Sequence, residues 1–172
     1  MSGTALKHKW GLPDAVNMPS GAPDAGEEAE PPGTAPAHWS FGTTADVGIG
    51  ARASTPAELF HELGLALFDL ITDVTKVRAK EVRAFTVAAP TPEGLVVRYL
   101  TELLVAQDVD DWLFSRFDVE VEGLPPVGLK VRAHGERFDE TRHPRKVAVK
   151  AATLHRLQID LSPPRARVIL DI

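Results

Sequence analysis

The sequence predicts an α+β fold: two helices packed with antiparallel or mixed β-sheet in a single compact domain. Three observations lead there. Two apolar stripes at helical spacing each follow a threonine–proline start, at Thr55-Pro56 and Thr91-Pro92. The stretches around and after them alternate apolar and charged residues at the period of half-buried strands. Finally, 172 residues with 44% apolar and 25% charged content can bury one good core, but are too few to make two domains the expectation.

Residues 1–37 stand apart from this pattern. They hold six of the fourteen prolines, five glycines and an acidic cluster at Glu27, Glu28 and Glu30. The apolar anchors are only Leu6, Trp10, Leu12, Val16 and Met18, too little buried surface to offset the entropy of ordering the segment. A disordered extension is expected over 1–37, and a folded domain over 38–172.

The domain should open at His38-Trp39-Ser40-Phe41 and turn at Asp46. Val47, Ile49, Ala51 and Ala53 then alternate as a strand, with Gly48 and Gly50 permitting close backbone approach. A phosphate-cradling loop is the alternative use of two such glycines, although no G-x-G-x-x-G or G-K-[ST] pattern completes it. Thr55-Pro56-Ala57-Glu58 has the form of a capping box, and the stripe Leu59, Leu63, Ala66, Leu70 carries a helix to about Asp73. His61 and Glu62 occupy adjacent positions on it and so point to different faces. Lys76 to Ala89 reads as a strand in which Val82, Ala84 and Thr86 alternate with Arg83 and Phe85. The second helix carries Val96, Tyr99, Leu100, Leu103 and Leu104, and should end before Asp108-Val109-Asp110-Asp111. That acidic run lacks the loop grammar of an EF-hand and reads as a solvated turn.

The C-terminal half is β-rich. Phe117, Val119 and Val121 alternate with acids, and Leu129, Val131 and Ala133 with Lys130, Arg132 and His134. Gly123-Leu124-Pro125-Pro126 joins these two strands, and Gly135 to His143 forms a polar connection. Val147 and Val149 should begin another strand, and His155-Leu157-Ile159-Leu161 the next, turning at Ser162-Pro163-Pro164 into a last strand from Arg165 to Ile172. Setting Leu161 against Ala166, Ile159 against Val168 and Leu157 against Leu170 gathers the apolar residues on one face. The same register opposes Asp160 to Arg167 and Arg156 to Asp171, making Asp171 a surface carboxylate in an ion pair. It also puts His155 on the apolar face as a packed histidine.

Composition narrows the function classes. Without cysteine there are no disulfides or thiolate metal sites. No run approaches the ~20 apolar residues of a membrane span, and no apolar segment follows Lys7 and Lys9 as in a secretory signal, so a cytoplasmic protein is expected. Residues 38–129 carry a net charge of -7 and residues 130–167 a net of +6. The basic third could face an anionic partner such as RNA, or be the solvated face of strands. An aromatic content of 6% without a stacking motif weighs against a plain RNA-binding module.

Several short stretches carry a family resemblance. They are Thr44-Ala45-Asp46-Val47-Gly48, Leu67-Phe68-Asp69, Glu102-Leu103-Leu104 and Leu113-Phe114-Ser115-Arg116-Phe117, then Gly135-Glu136-Arg137-Phe138-Asp139 with Arg142-His143. After these come Val149-Lys150-Ala151-Ala152-Thr153 with His155, and the terminal Arg167-Val168-Ile169-Leu170-Asp171-Ile172. In order and spacing across 38–172 they resemble the archease family, small proteins that assist the RtcB-type RNA ligase. The resemblance implies a helper and not an enzyme. It would promote guanylylation of the ligase from GTP and its repeated turnover in tRNA splicing or RNA repair. It would meet RNA only through the ligase, with no DNA or membrane partner.

The resemblance also implies a divalent-cation site formed by Asp46, Asp171 and Ile172, the last through a main-chain or terminal oxygen. Such hard oxygen donors suit calcium first, with magnesium or manganese as alternatives. Lys150 is the candidate contact to the ligase or an RNA phosphate; an ordinary strand lysine is the other reading. Many family members have a histidine where Thr43 stands here, and an acid where Gly42 stands. A metal-dependent phosphodiesterase using the same carboxylates is the competing function, but it would need a general base or second metal that the sequence does not offer.

Overall fold

The computed structural model describes residues 30–42 and 46–172. In chain order the elements are β1 (Ala37–Gly42), β2 (Val47–Arg52), α1 (Pro56–Ile71), β3 (Glu81–Ala88), α2 (Pro92–Asp110), β4 (Trp112–Glu122), β5 (Gly128–Arg137), β6 (Ala151–Ala152), β7 (Gln158–Leu161) and β8 (Pro164–Asp171). A single 3-10 turn, Val74–Lys76, follows α1. The strands form two antiparallel sheets. One runs β1-β2-β8-β6 with β7 also on β8, and the other runs β3-β5-β4. Among the described residues the chain adopts the expected α+β class with two helices.

Both helices start where the threonine–proline pairs placed them. The Thr55 hydroxyl accepts the Glu58 N–H at 3.2 Å, and the Glu58 carboxylate accepts the Ser54 N–H at 3.0 Å. This is a reciprocal cap with the return bond displaced by one residue. Thr91 likewise accepts the Gly94 N–H at 3.1 Å. α1 buries Leu59, Phe60, Leu63, Leu67, Phe68 and Ile71 and is apolar on most of its faces, because it is packed on two sides. It meets β4 of the smaller sheet and β1, β2 and β8 of the larger. Aromatic rings fill the junction edge to face, Phe60 on Tyr99 at 5.5 Å and Phe68 on Phe114 at 5.4 Å.

Several expectations need correction. α2 does not stop before the acidic run but continues through it to Asp110, ending on Asp111 in the left-handed conformation (φ 56°). Asp110 is held there by Arg83 of β3 at 2.7 Å, a pairing invisible from the local sequence. β3 is shorter than expected, and its half-buried side is Arg83, Phe85 and Val87, with Val82 and Ala84 exposed. Phe85 stacks against Tyr99, and its greater apolar area decides which side turns inward. Residues 147–150 form no strand; the Val147 N–H, like that of Lys146 before it, donates to the end of α1, at Leu70 and Ile71 respectively, and the Lys150 N–H donates to Asp171.

The closing hairpin is also displaced. β7 pairs with β8 as Ile159↔Ala166 and Leu161↔Pro164, two residues from the expected register. A shift of two keeps every side chain on its face, so apolar alternation cannot distinguish the two pairings. The two-residue turn Ser162-Pro163 selects the observed one. Asp160 therefore opposes Arg165, not Arg167, and Arg156 does not face Asp171. His155 is exposed in a turn and not packed on the apolar face.

Of the segment expected to be an extension, residues 1–29 lie outside the described residues. Residues 30–35 lie along Arg52. Its guanidinium donates to Glu30 at 3.1 Å, to the Ala35 carbonyl at 2.8 Å and to the Pro31 and Pro32 carbonyls, while Arg165 pairs with Glu30. Among the described residues no helix is long and apolar enough to cross a membrane.

Candidate functional site at the end of the larger sheet

The two aspartates singled out in the sequence lie at the same end of the larger sheet. β2 and β8 pair without a break from Arg52↔Arg165 to Val47↔Leu170. Asp46, just before Val47, and Asp171, just after Leu170, flank this last pair at the same end of the ladder. On its other side Asp171 pairs with Ala151, and the Lys150 N–H donates to the Asp171 carbonyl at 2.7 Å. Asp46, Asp171, Ile172 and Lys150 thus collect at one end of the larger sheet. Thr43, Thr44 and Ala45 lie outside the described residues.

The face of the sheet turned from α1 explains the glycines beside Asp46. Ile49, Ala51, Val168 and Leu170 point into the core, so Gly48 and Gly50 occupy the opposite face. There Phe41 and Trp39, their partners on β1, lay rings across the glycines. A Cβ on Gly48 would come 2.1 Å from the Phe41 ring, and one on Gly50 2.3 Å from Trp39. Arg167 caps Phe41 at 5.3 Å. Close approach, and not a phosphate cradle, is the use of these glycines. Gly48→Ala should displace the Phe41 ring and destabilise the fold by about 1–2 kcal/mol. Urea titration measures this, and Phe41→Leu in the same chain should recover part of the loss.

The segment that carries Lys150 is anchored by a buried polar network that sequence reading passed over as a polar connection. Glu136, at the end of β5, is 4% exposed and His143 2%. The Glu136 carboxylate accepts from Arg142 Nη1 and Nη2 at 2.8 Å each, from the Arg78 N–H at 2.9 Å and from His143 Nε2 at 2.9 Å. His143 Nδ1 in turn accepts the Asp139 N–H at 2.8 Å, which fixes a neutral ring with its proton on Nε2. Arg142 foremost, with the Arg78 and His143 bonds, brings the Glu136 pKa down to about 2 against the opposing effect of burial. Beyond His143, Thr72 donates to the Pro144 carbonyl at 2.7 Å. The path from β5 to Lys150 is thereby pinned to α1. The available signal was an acid flanked by glycine and arginine in an otherwise solvated connection, too common to single out.

Among the described residues no three His, Cys, Asp or Glu side chains gather into a group that could hold a metal. A cation at this end would be met by two carboxylates, an oxygen of Ile172 and water, a donor set with the hardness of calcium or magnesium sites. His61 and Glu62 separate as their positions required. His61 lies against the Phe117 main chain, with Nδ1 2.9 Å from the carbonyl oxygen, and Glu62 bonds His38 at 2.7 Å.

Residues 39–172 match the model of the Archease protein family (MTH1598/TM1083). The chain belongs to the archease family. It is 39% identical to protein archease of Pyrococcus abyssi over 75% of this chain and 94% of that protein. To protein archease of Sulfurisphaera tokodaii it is 37% identical, over 70% of this chain and 86% of that one. The solution structure of Methanobacterium thermoautotrophicum protein 1598 superposes with a TM-score of 0.67 at 33% identity, covering 78% and 98% of the two chains. The Thermotoga maritima crystal structure, described as an archease and possible chaperone, shares the fold with a TM-score of 0.52 at 17% identity, covering 85% and 99%. The archease family thus spans the folded part of the chain, including every strand that builds the candidate site.

Proposed function

We propose that this protein is an accessory factor of an RtcB-type RNA ligase. It promotes the ligase's guanylylation from GTP and its multiple turnover in tRNA splicing or RNA repair, without being the catalyst. Family membership supports this reading, and the observation that carries it within the chain is the β2–β8 register, whose last pair Val47↔Leu170 leaves Asp46 and Asp171 at one end of the sheet, with the Lys150 N–H on the Asp171 carbonyl. Asp46, Asp171 and Ile172 would hold a divalent cation, calcium first, which when bound supplies a fixed positive charge able to meet an anionic group of the ligase or its nucleotide. Lys150, whose main chain bonds Asp171, would supply a second cation at this end. Magnesium or manganese would fit the same oxygen donors with more water retained.

The test is a reconstitution of ligase, GTP, divalent metal and RNA, with and without this chain. The wild type should raise the guanylylated fraction of ligase and permit more than one join per ligase molecule. Asp46→Asn and Asp171→Asn should lower calcium affinity by at least about tenfold, seen as a lost thermal shift, and abolish stimulation while the circular dichroism stays native. Lack of stimulation by the folded wild type with its cognate ligase would refute the reading. RNA hydrolysis by this chain alone, lost in Asp46→Asn, would point to the phosphodiesterase instead.

A further inference from the structure

At the end of the larger sheet away from Asp46 and Asp171, the proposed function leaves a cluster of charge unused. The β2–β8 ladder there sets Arg52 directly against Arg165, and like charges opposed on a ladder repel. The row across the four strands reads Ala37, Arg52, Arg165 and Asp160, two arginines to one acid. Glu30 redresses it. Its carboxylate lies across both guanidiniums, with Oε1 3.1 Å from Arg52 Nη1 and Oε2 on Arg165 Nη2. The Arg52 side chain is 11% exposed, whereas that of Arg165 is 44% exposed and that of Glu30 30%, so solvent reaches the Arg165 side of the bridge.

Residues 31–35 close round the same guanidinium. Arg52 Nε donates to the Ala35 carbonyl at 2.8 Å, Nη2 to the Pro32 carbonyl at 3.1 Å, and Nη1 to the Pro31 carbonyl as well as to Glu30. The bend turns on Gly33, whose φ of 106° suits glycine. Pro31, Pro32 and Pro36 fix φ on either side of it, so the strap loses little freedom on closing. Main-chain carbonyls thus satisfy Arg52 on three sides, and the Glu30 carboxylate is the one charged acceptor it shares with Arg165. One oxygen on each of two guanidiniums is also the contact that a phosphate oxyanion makes with paired arginines. Glu30, tethered just ahead of β1, competes for that place from within the chain.

We propose that Arg52 and Arg165 form a phosphate-oxyanion site that Glu30 occupies in the resting chain, and that phosphate bound there displaces Glu30 and loosens the 30–35 strap. Free phosphate and the phosphates of RNA share this chemistry, and the Arg165 side is open to either. The strap leads directly into β1, so loosening begins at the end of that strand farthest from Asp46. Neither the ligase nor a cation at Asp46 and Asp171 is required.

The test is a heteronuclear NMR titration of the isotope-labelled full chain with sodium phosphate, against sodium chloride at the same ionic strength, repeated with a short single-stranded RNA. In the wild type the Arg52 Nε–H and the amides of Gly33, Thr34 and Ala35 should shift together and saturably, with the three amides gaining the relaxation of a mobile segment. Glu30→Ala, with the carboxylate removed, should bind phosphate at least about tenfold more tightly, because a closed strap lowers apparent affinity by the open fraction. Arg165→Gln, in either background, should weaken binding by about tenfold or more. A merely structural ion pair requires instead that phosphate and chloride act alike, or that Glu30→Ala gain no affinity, and either result overturns the site. A saturable response to inorganic phosphate and not to RNA makes free phosphate the ligand, and the converse makes RNA the ligand; both uphold the site.

Discussion

Gly135→Ala should destabilise the protein by about 3 kcal/mol or more, the upper end of what overpacking costs. Gly135 sits on β5 opposite Phe114, next to the point where β4 shifts register between Phe114 and Arg116. A Cβ there would lie 1.8 Å from the Leu113 carbonyl oxygen, with the Leu113 and Phe114 main chain within 3 Å. Unlike the ring over Gly48, this obstacle is backbone within a ladder and cannot rotate aside. Relief would require opening β4 from β5 beside the buried rings of Phe114 and Phe117, the core against α1. Equilibrium urea unfolding should show the midpoint falling steeply with the slope preserved. A loss below about 1 kcal/mol would mean that the bulge relaxes readily.

Glu136→Gln should cost about 2 kcal/mol, because it removes the charge that a buried carboxylate presents to half-exposed Arg142 and leaves the guanidinium facing an amide. The same carboxylate sets an acid limit on the wild type. Its pKa falls on folding from its ordinary 4.5 to about 2, so its stabilising contribution is complete above about 4.5. That contribution is lost progressively as pH falls from about 4.5 through about 2. The stability of wild type, followed by urea unfolding between pH 6 and 3, should therefore decline more steeply than that of Glu136→Gln. Parallel pH profiles would remove Glu136 from the origin of the acid limit. Because the network pins the chain leading to Lys150, Glu136→Gln should also raise hydrogen exchange across 139–150 well before global unfolding.

Local chemistry made the helix starts legible. Thr55-Pro56 and Thr91-Pro92 cap and begin helices through bonds made within four residues, and those bonds are present. Apolar alternation likewise marks β2, β4, β5 and β8, and the order of short motifs across 38–172 carries the archease resemblance. Periodicity could not go further at three places. It does not choose between registers two residues apart, and Ala151, not Arg156, takes the place opposite Asp171. It did not foresee that Arg83, distant in sequence, would extend α2 to Asp110. Nor did it reveal Glu136 as a buried hub, since its partners come from Arg78, Arg142 and His143.

The candidate site divides along the same line. By itself the sequence determined the fold class, both helix starts, the family, and the choice of Asp46, Asp171, Ile172 and Lys150 as residues to examine. Only the tertiary structure decided that β2 and β8 are neighbours in a register that leaves Asp46 and Asp171 at one end of the sheet, and that Lys150 bonds the Asp171 main chain. The physical reason is range: caps and alternation are set by neighbours in the chain, whereas strand pairing over more than a hundred residues is selected by the burial of whole faces against α1.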